Sequence, residues 1–270
     1  MTVTVASVRA SPAPRRQPPR RAGALLVYVA SIAAFLLAWQ WASASFSLPR
    51  LFPGPQRTWL TLGELVRDGS LVNDVAVSLR RIGAGFVIGS AIGFAIGLLM
   101  GASDRVRYAL DPYVNFLRFI SGIAWIQVAT LWLGLGESPK IALVAYVTVF
   151  AVALNTLAGF RAIPVNRVRA ARSLGARRWQ VFAWVQLPSC IHFALQGMRL
   201  AMAGAFLTVV AAEMIAANSG LGFLIHSSRQ FMATDAMFVG IVVLGLLGYL
   251  CDKLLVLASR TVLGRYSLLA

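Results

Sequence analysis

The chain has 270 residues, of which 59% are hydrophobic and 13% charged, whereas soluble domains are about half apolar and about a quarter charged. Its net charge of +16 comes mostly from arginines in short segments between long apolar runs. A nucleic-acid-binding protein would need a water-exposed basic face, so this distribution argues against that class. We expect instead an all-α, polytopic membrane protein, with basic residues that set its topology.

The chain begins with a basic segment. Residues 1–22 contain five arginines, four prolines and no acid, which predicts a disordered tail. The apolar run 24–42 is long enough to span a membrane. Ala42-Ser43-Ala44 resembles a signal-peptidase site, but the run is long for a signal core and further apolar runs follow. We therefore expect a cytoplasmic tail followed by a membrane domain over residues 23–270.

Five further apolar runs predict about six spans in all. Before the first of them, residues 58–67 form a short amphipathic stretch expected to lie on the membrane surface. Residues 216–235 are too polar to cross and predict a re-entrant or surface element. The five runs are 82–100, 120–135, 141–160, 193–215 and 237–258.

The second span carries a glycine at every fourth position, which places the glycines on one stripe of a helix. Such a stripe allows a neighbouring helix to approach closely. It predicts a tightly packed, buried helix rather than a ligand site. The stripe is Gly85, Gly89, Gly93, Gly97 and Gly101.

The basic residues indicate a topology. With both termini in the cytoplasm, eighteen basic residues lie on the cytoplasmic side and seven outside, as the positive-inside rule favours. Arg118 is counted here in a cytoplasmic connection. Arg80 and Arg81 adjoin the second span on the side that the rule disfavours.

The most informative stretch is residues 161–190, here called the arginine segment. Its first part has apolar residues at every third position, which predicts one apolar helix face. Gly175 follows, where a helix end favours a left-handed residue. The apolar positions are Val165, Val168, Ala171 and Leu174.

A second amphipathic piece of the arginine segment contains Trp179 and is expected to stop at Leu187-Pro188. Together the two pieces predict a helix–turn–helix with one apolar and one arginine-rich face. Such a helix suits the groove of a partner protein. On periodicity alone, a loop helix on the membrane surface is the favoured interpretation.

The pattern Ala170-Ala171-x3-Gly175-x9-Val185-x-Leu187-Pro188 resembles the EAA loop of binding-protein-dependent ABC importer permeases, E-A-A-x3-G-x9-I-x-L-P. Residues 193–224 are similar to the nitrate/sulfonate/taurine-type branch. The resemblance implies the type I importer fold in a bacterial inner membrane. It also implies a homodimer, two cytoplasmic ATP-binding subunits and an extracytoplasmic solute-binding protein. We expect no cofactor and no nucleic acid.

The resemblance assigns the arginine segment to the coupling helix that contacts the ATP-binding subunits. Arg169 stands where the family usually has glutamate, so any salt bridge of that glutamate cannot form here. The implied contact residues are Val168, Arg169, Ala170, Ala171, Arg172, Leu174, Gly175, Ala176, Trp179, Leu187 and Pro188.

The third span departs from the family, in which this helix is broken by prolines. Here the sequence ISGIAWIQVATLWLGLG has Ser121, Gly122 and Gln127 at the proline positions, so a straighter helix is expected. Polar groups at membrane depth are costly and often functional, although they can also bond their own backbone or snorkel. Our candidates for the substrate path are Ser121, Trp125, Gln127, Thr130 and Arg199.

The sequence offers no catalytic site. A phosphate-binding P-loop needs Gly-Lys, whereas the lysines follow Pro139 and Asp252, so any ATPase is expected on another chain. His192 and His226 lack partners at metal-ligand spacing. We predict a permease subunit of an ATP-driven importer of a small anion such as a sulfonate, taurine or nitrate. The alternative, a secondary transporter, would need ionisable residues at mid-membrane, which the central parts of these spans lack.

Overall fold

The computed structural model describes residues 21–45 and 51–264, so most of the predicted basic tail lies outside the described residues. The first unit contributes one described helix, α1 (Arg21–Ser45), which includes the last two residues of that tail. The second unit, from Arg50 onward, contains the other described helices. They are α2 (Pro55–Arg67), α3 (Ser70–Ala102), α4 (Asp104–Leu117), α5 (Ile126–Leu133), α6 (Ser138–Arg161), α7 (Val165–Ser173), α8 (Arg178–Val181), α9 (Leu187–Ala216), α10 (Leu221–Gln230) and α11 (Thr234–Gly264).

Five of the described helices are long and apolar enough to cross a membrane, and they confirm five of the six predicted spans. The third predicted span differs. Residues 118–125 form turns, and only α5, with eight residues, is helical in the second half of the run. A helix of that length covers roughly 12 Å, less than half of a bilayer core. The expectation of a straighter helix is therefore wrong.

The helix is broken even without prolines because neighbouring helices hold the turn. The Tyr146 hydroxyl of α6 donates to the carbonyl oxygen of Leu117 at 2.7 Å and lies 3.5 Å from that of Ile120. A Cβ atom on Gly122 would lie 2.8 Å from Val147 Cγ2 and 3.1 Å from Thr208 Cγ2. The turn is thus held by contacts with neighbouring helices rather than by the ring of a proline.

The glycine stripe of α3 packs against α6, as predicted. A Cβ atom on Gly89 would lie 2.5 Å from the Ala145 carbonyl oxygen, and one on Gly97 would lie 2.6 Å from that of Ala153. Residue numbers rise together along the contact, so α3 and α6 are parallel. Since parallel neighbours cross in the same direction, the chain between them must return across the membrane.

Contacts with α6 show that this return segment crosses in the opposite direction. Val114 of α4 shares a buried cluster with Leu157, near the Arg161 end of α6. Further along the chain, Ile126 of α5 shares one with Leu143, near the Ser138 end. The sixth crossing therefore consists of α4, the turn and α5. The crossing begins in α4, before the predicted span 120–135, in a stretch predicted to be a cytoplasmic connection.

A buried polar network joins α3 to the ends of α6 and α9. Arg81 is 1% exposed, and its guanidinium donates to Glu137 at 2.6 and 2.7 Å, to Glu213 Oε1 at 2.8 Å and to the Ser219 carbonyl oxygen at 2.7 Å. The hydrogen bond from Arg81 lowers the pKa of Glu137 from 4.5 to about 2. Two carboxylates thus neutralise Arg81, whose charge the positive-inside rule disfavours at the start of this span.

The same network fixes the start of α10. Glu213 is fully buried and accepts hydrogen bonds from Ser78 at 2.8 Å and from the Gly222 amide at 2.9 Å. The Gly220 amide donates to Asp74 at 2.8 Å. Gly220 has a φ of +114°, and a Cβ atom there would lie 2.5 Å from the Glu213 carboxyl group. The stretch 216–235, predicted not to cross the membrane, therefore contains a ten-residue helix, α10, that hydrogen bonds anchor to α9 and α3.

Replacing Gly89 by alanine should destabilise the protein, because the added methyl group would meet the backbone of α6 and could not be relieved by a side-chain rotation. We expect a loss of about 1–3 kcal/mol and a lower melting temperature in detergent. Gly83→Ala is the matched control, since nothing lies within 4 Å of a Cβ atom there. Equal melting temperatures for the two variants would contradict the close contact.

Replacing Glu213 by glutamine should also destabilise the protein, because Arg81 would lose one of its two charged partners in a buried site. Breaking a buried pair costs about 3–5 kcal/mol, and the remaining Glu137 should keep the loss near the lower value. Glu64→Gln, on the exposed face of α2, should change stability by less than about 0.5 kcal/mol. Thermal unfolding of both variants in the same detergent measures the difference.

Candidate functional site: an arginine-rich surface and a central groove

The helix of the arginine segment ends as its sequence predicts. After α7, Gly175 adopts a φ of +83°. Its amide donates to the Arg172 carbonyl oxygen at 2.9 Å, and the Ala176 amide donates to that of Ala171 at 3.1 Å. These two bonds form a Schellman motif, which satisfies carbonyl groups at the helix end. The turn between α7 and α8 is therefore a defined structure.

The surface of the arginine segment is open. None of the residues of α7 is buried, and Leu174 and Trp179 are 89% and 61% exposed. Within the described ranges, none of the segment's arginines has a carboxylate partner. The result is an exposed apolar strip beside unneutralised cations. These arginines are Arg161, Arg167, Arg169, Arg172, Arg177 and Arg178.

The second piece of the arginine segment does not stop at Leu187-Pro188. Arg178–Ala216 forms one helical run that crosses the membrane, and residues Phe182–Gln186 within it form a π-helical turn. Pro188 lies in the first turn of α9. The wider turn accommodates the proline ring and the missing N–H, which would otherwise break the helix. The expected stop was therefore wrong.

The predicted contact residues for ATP-binding subunits fall on one continuous piece of chain. Leu187 and Pro188 lie half-buried at the start of α9. The other nine are exposed or half-exposed on α7, its C-terminal turn and α8. Their role stays a prediction. These nine are Val168, Arg169, Ala170, Ala171, Arg172, Leu174, Gly175, Ala176 and Trp179.

A central groove lies between the broken crossing, α6 and α9. It is open on one side and has a volume of about 440 Å³. Its α6 wall extends from Tyr146 to Leu154, roughly 12 to 24 Å along the helix from Ser138. The groove is therefore at mid-depth of the bundle. Its polar lining comprises Arg118, Ser121, Tyr146 and Thr208.

The predicted path residues of the third span do not all reach this groove. Ser121 lines it. Thr130 donates to the Gln127 carbonyl oxygen at 2.9 Å, so it forms the bond to its own helix backbone that was the alternative to lining the path. The Gln127 side chain is exposed. The Trp125 ring packs 6.0 Å from that of Tyr146, and its indole N–H is buried without an acceptor among the described residues.

Arg199, the remaining candidate, lies elsewhere. Its guanidinium forms a two-bond ion pair with Asp252 of α11, at 2.6 Å from Nε and 3.0 Å from the terminal nitrogen. It lines a separate cavity of about 120 Å³ with His192 and Ser259. Its charge is therefore already paired, and it links α9 to α11.

Three groove residues, Arg118, Tyr146 and Thr208, are absent from the candidates predicted from the sequence. The predicted place of Arg118 in a cytoplasmic connection is wrong, because Arg118 lines the groove beside the middle of α6. The signal that could have found it is the apolar spacing of Val106, Leu110, Val114 and Leu117, which is typical of an amphipathic helix. That pattern predicts α4 and would have started the crossing earlier.

Residues 89–264 match the family described as "Binding-protein-dependent transport system inner membrane component". The chain is 36% identical to the taurine transport system permease protein TauC of Escherichia coli K12, over 83% of this chain and 84% of that protein. It is 34% identical to the putative aliphatic sulfonates transport permease protein SsuC of Bacillus subtilis 168, over 79% and 77%.

The fold is also that of a solved importer. A structure titled "Inward facing conformations of the MetNI methionine ABC transporter" matches with a TM-score of 0.61 and 22% identity, over 72% of this chain and 96% of that one. The family match covers more than half of the chain, and the relatives align over most of their length. The chain therefore belongs to the inner-membrane components of binding-protein-dependent transport systems, the permease subunits of ATP-driven importers.

Proposed function

We propose that the arginine segment is the coupling helix through which separate ATP-binding subunits act on this chain. The observation that carries the proposal is α7, which buries no residue and presents exposed Leu174 beside it. A helix that buries none of its residues against the described part of its own chain suits a groove on another protein. Because this segment has arginines and no acids, we expect that groove to be lined by carboxylates.

The helix that follows explains how motion could be transmitted. Arg178–Ala216 is one helical run, and Gly204 and Thr208 within it line the central groove. A displacement of the arginine segment would therefore move a wall of the groove. We propose alternating access on this basis, in which ATP-driven closure of the ATP-binding subunits opens the groove to the other side of the membrane.

We propose that the working assembly contains two copies of this chain, two cytoplasmic ATP-binding subunits and an extracytoplasmic solute-binding protein. The central groove is open on one side, and a second copy could close it. We place the assembly in a bacterial cytoplasmic membrane with both termini of this chain in the cytoplasm. The excess of arginines in the tail and in the arginine segment supports this orientation.

The transported solute is proposed to be a small anion of the sulfonate, taurine or nitrate kind. Two relatives are named for taurine and for aliphatic sulfonates. The groove supports the same chemistry, since its lining contains one arginine and no carboxylate among the described residues.

Uptake into proteoliposomes tests the whole proposal. Labelled taurine, an alkanesulfonate and nitrate are supplied in parallel, and one of them should accumulate only when this chain, the ATP-binding subunit, the solute-binding protein and ATP are all present. Collapse of the proton gradient with a protonophore should leave uptake unchanged while ATP is held constant. Uptake by this chain alone, or uptake that follows the proton gradient, would contradict the proposal.

Replacing Gly175 by valine should weaken the attachment of the ATP-binding subunits. A β-branched residue at a positive φ costs about 1–2 kcal/mol, so the turn would open and the recovery of ATP-binding subunit on affinity-tagged permease should fall roughly five- to thirtyfold. Gly69→Val is the matched control. Gly69 also has a positive φ and open surroundings, but it precedes α3 at the other end of the bundle. Equal recovery for the two variants would count against the coupling role.

A further inference from the structure

We infer that Arg118, together with the turn at Ser121 and Gly122, forms an anion-binding subsite in the central groove. Its ligand is the sulfonate or similar oxyanion group of the transported solute. The inference rests on the proposed function, in which the groove is the translocation path. It goes further by naming the residues that hold the charged group while the solute is inside the membrane.

Arg118 lies at mid-depth of the bundle. The residue before it, Leu117, accepts a hydrogen bond from Tyr146, which lies eight residues into α6, roughly 12 Å from its Ser138 end. Arg118 lines the same groove as Val147 and Leu154. An arginine at this depth is costly in contact with lipid and is expected to face a water-filled cavity. Its place in the groove meets that expectation.

Arg118 differs from other arginines within spans in having no carboxylate partner among the described residues. The arginines of α3 and α9 that lie within spans have carboxylate partners: Arg81 pairs with Glu137 and Glu213, and Arg199 with Asp252. Arg118 has no carboxylate partner in the described part of the chain, where its contact is with the ring of Phe119, 4.7 Å away. Its hydrogen-bond donors are therefore available to a mobile anion.

The turn beside Arg118 presents polar backbone groups. A broken helix leaves both N–H and C=O groups unpaired, and Tyr146 covers two of the carbonyl oxygens. The amides of Ser121 and Gly122 donate to no acceptor in residues 51–264. Successive free amides next to a cation are the groups that bind oxyanions in proteins.

Two hydroxyl groups complete the set. Ser121 Oγ accepts from the Ile123 amide at 3.3 Å, which leaves its own hydrogen for a ligand. Thr208 stands across the groove on α9 and forms no hydrogen bond with other described residues. The groove thus offers a guanidinium, two amides and two hydroxyls as donors, in a volume of about 440 Å³ that fits a small organic anion.

The same donors could bind the phosphate of a lipid headgroup. Depth favours the solute, since the groove lies at the middle of α6 and headgroups lie at the ends of a span. The two sources differ in what should compete for the site. A soluble sulfonate should protect it if the ligand is the solute, and anionic lipid should protect it if the ligand is a headgroup.

A cysteine at position 121 reports on this subsite. The full chain with Cys190→Ser and Cys251→Ser is placed in phosphatidylcholine nanodiscs, and Ser121→Cys is reacted with methanethiosulfonate reagents that carry either an ethylsulfonate or a trimethylammonium group. We expect the anionic reagent to react roughly tenfold faster than the cationic one. Millimolar methanesulfonate should slow the reaction, whereas added phosphatidylglycerol should not. Protection by phosphatidylglycerol alone would overturn the solute assignment.

Arg118→Gln should bring the two rates together at Ser121→Cys, whereas Arg118→Lys should keep most of the preference. Ser70→Cys, at the exposed start of α3, is the matched control and should keep its ratio of rates in every background. An anionic preference at position 121 that survives Arg118→Gln would overturn the inference. Methanesulfonate protection is measured without any change at Arg118, so the test stands even if Arg118→Gln folds poorly.

The assembled importer separates this inference from the proposed function. Arg118→Gln should reduce ATP-driven uptake at least tenfold while the ATP-binding subunits still co-purify, and Arg118→Lys should restore part of it. If the unaltered importer fails to accumulate any solute but the thiol preference depends on Arg118, the proposed function fails and the subsite stands. If uptake occurs and Arg118→Gln leaves it unchanged, the subsite fails and the proposed function stands.

Discussion

The contact between α3 and α6 leaves no room for side chains, and the arrangement of the other helices depends on it. Gly89 and Gly97 bring the two backbones together in a parallel pair. Two parallel crossings in sequence require a third between them, and the α3 side of α6 is already occupied along its length. The return segment must therefore pass along another face of α6. The groove is the space that this segment leaves between α6 and α9.

The return segment is broken, and a break inside a membrane exposes backbone groups that lipid cannot satisfy. Tyr146 covers the carbonyl oxygens of Leu117 and Ile120, while the amides of Ser121 and Gly122 stay open within the described residues. Because the carbonyl oxygens are covered and the amides are open, the break presents mainly hydrogen-bond donors. A structural solution to the broken helix thus also produces the polarity that an anion needs, which ties the fold to the proposed solute class.

Local rules predicted the features that depend on neighbours in sequence. The glycine stripe and the helix end at Gly175 both follow from spacing and backbone conformation, and the structure confirms both. The pairing of Arg81 with Glu213 could not be predicted, since it joins residues far apart in sequence. The break after Arg118 could not be predicted either, because it also depends on residues distant in sequence. The absence of prolines indicated a straight helix, but contacts with Tyr146 and Val147 hold the turn. Tertiary contacts overrode the local signal at the very position where the groove forms.

Some arginines of this chain are paired with its own carboxylates, and others have no such partner. The chain has only nine acids for 25 basic residues, and several of those acids hold helices together: Glu137 and Glu213 bind Arg81, and Asp252 binds Arg199. Arg118 in the groove and the six arginines of the arginine segment have no such partner among the described residues. The other described arginines without a carboxylate partner are Arg57, Arg67, Arg105 and Arg229. A site that binds and releases a partner cannot contain a permanent internal counter-ion, because that ion would compete with the partner. At the arginine segment the proposed ATP-binding subunit would supply the negative charge, and at Arg118 the proposed solute would supply it.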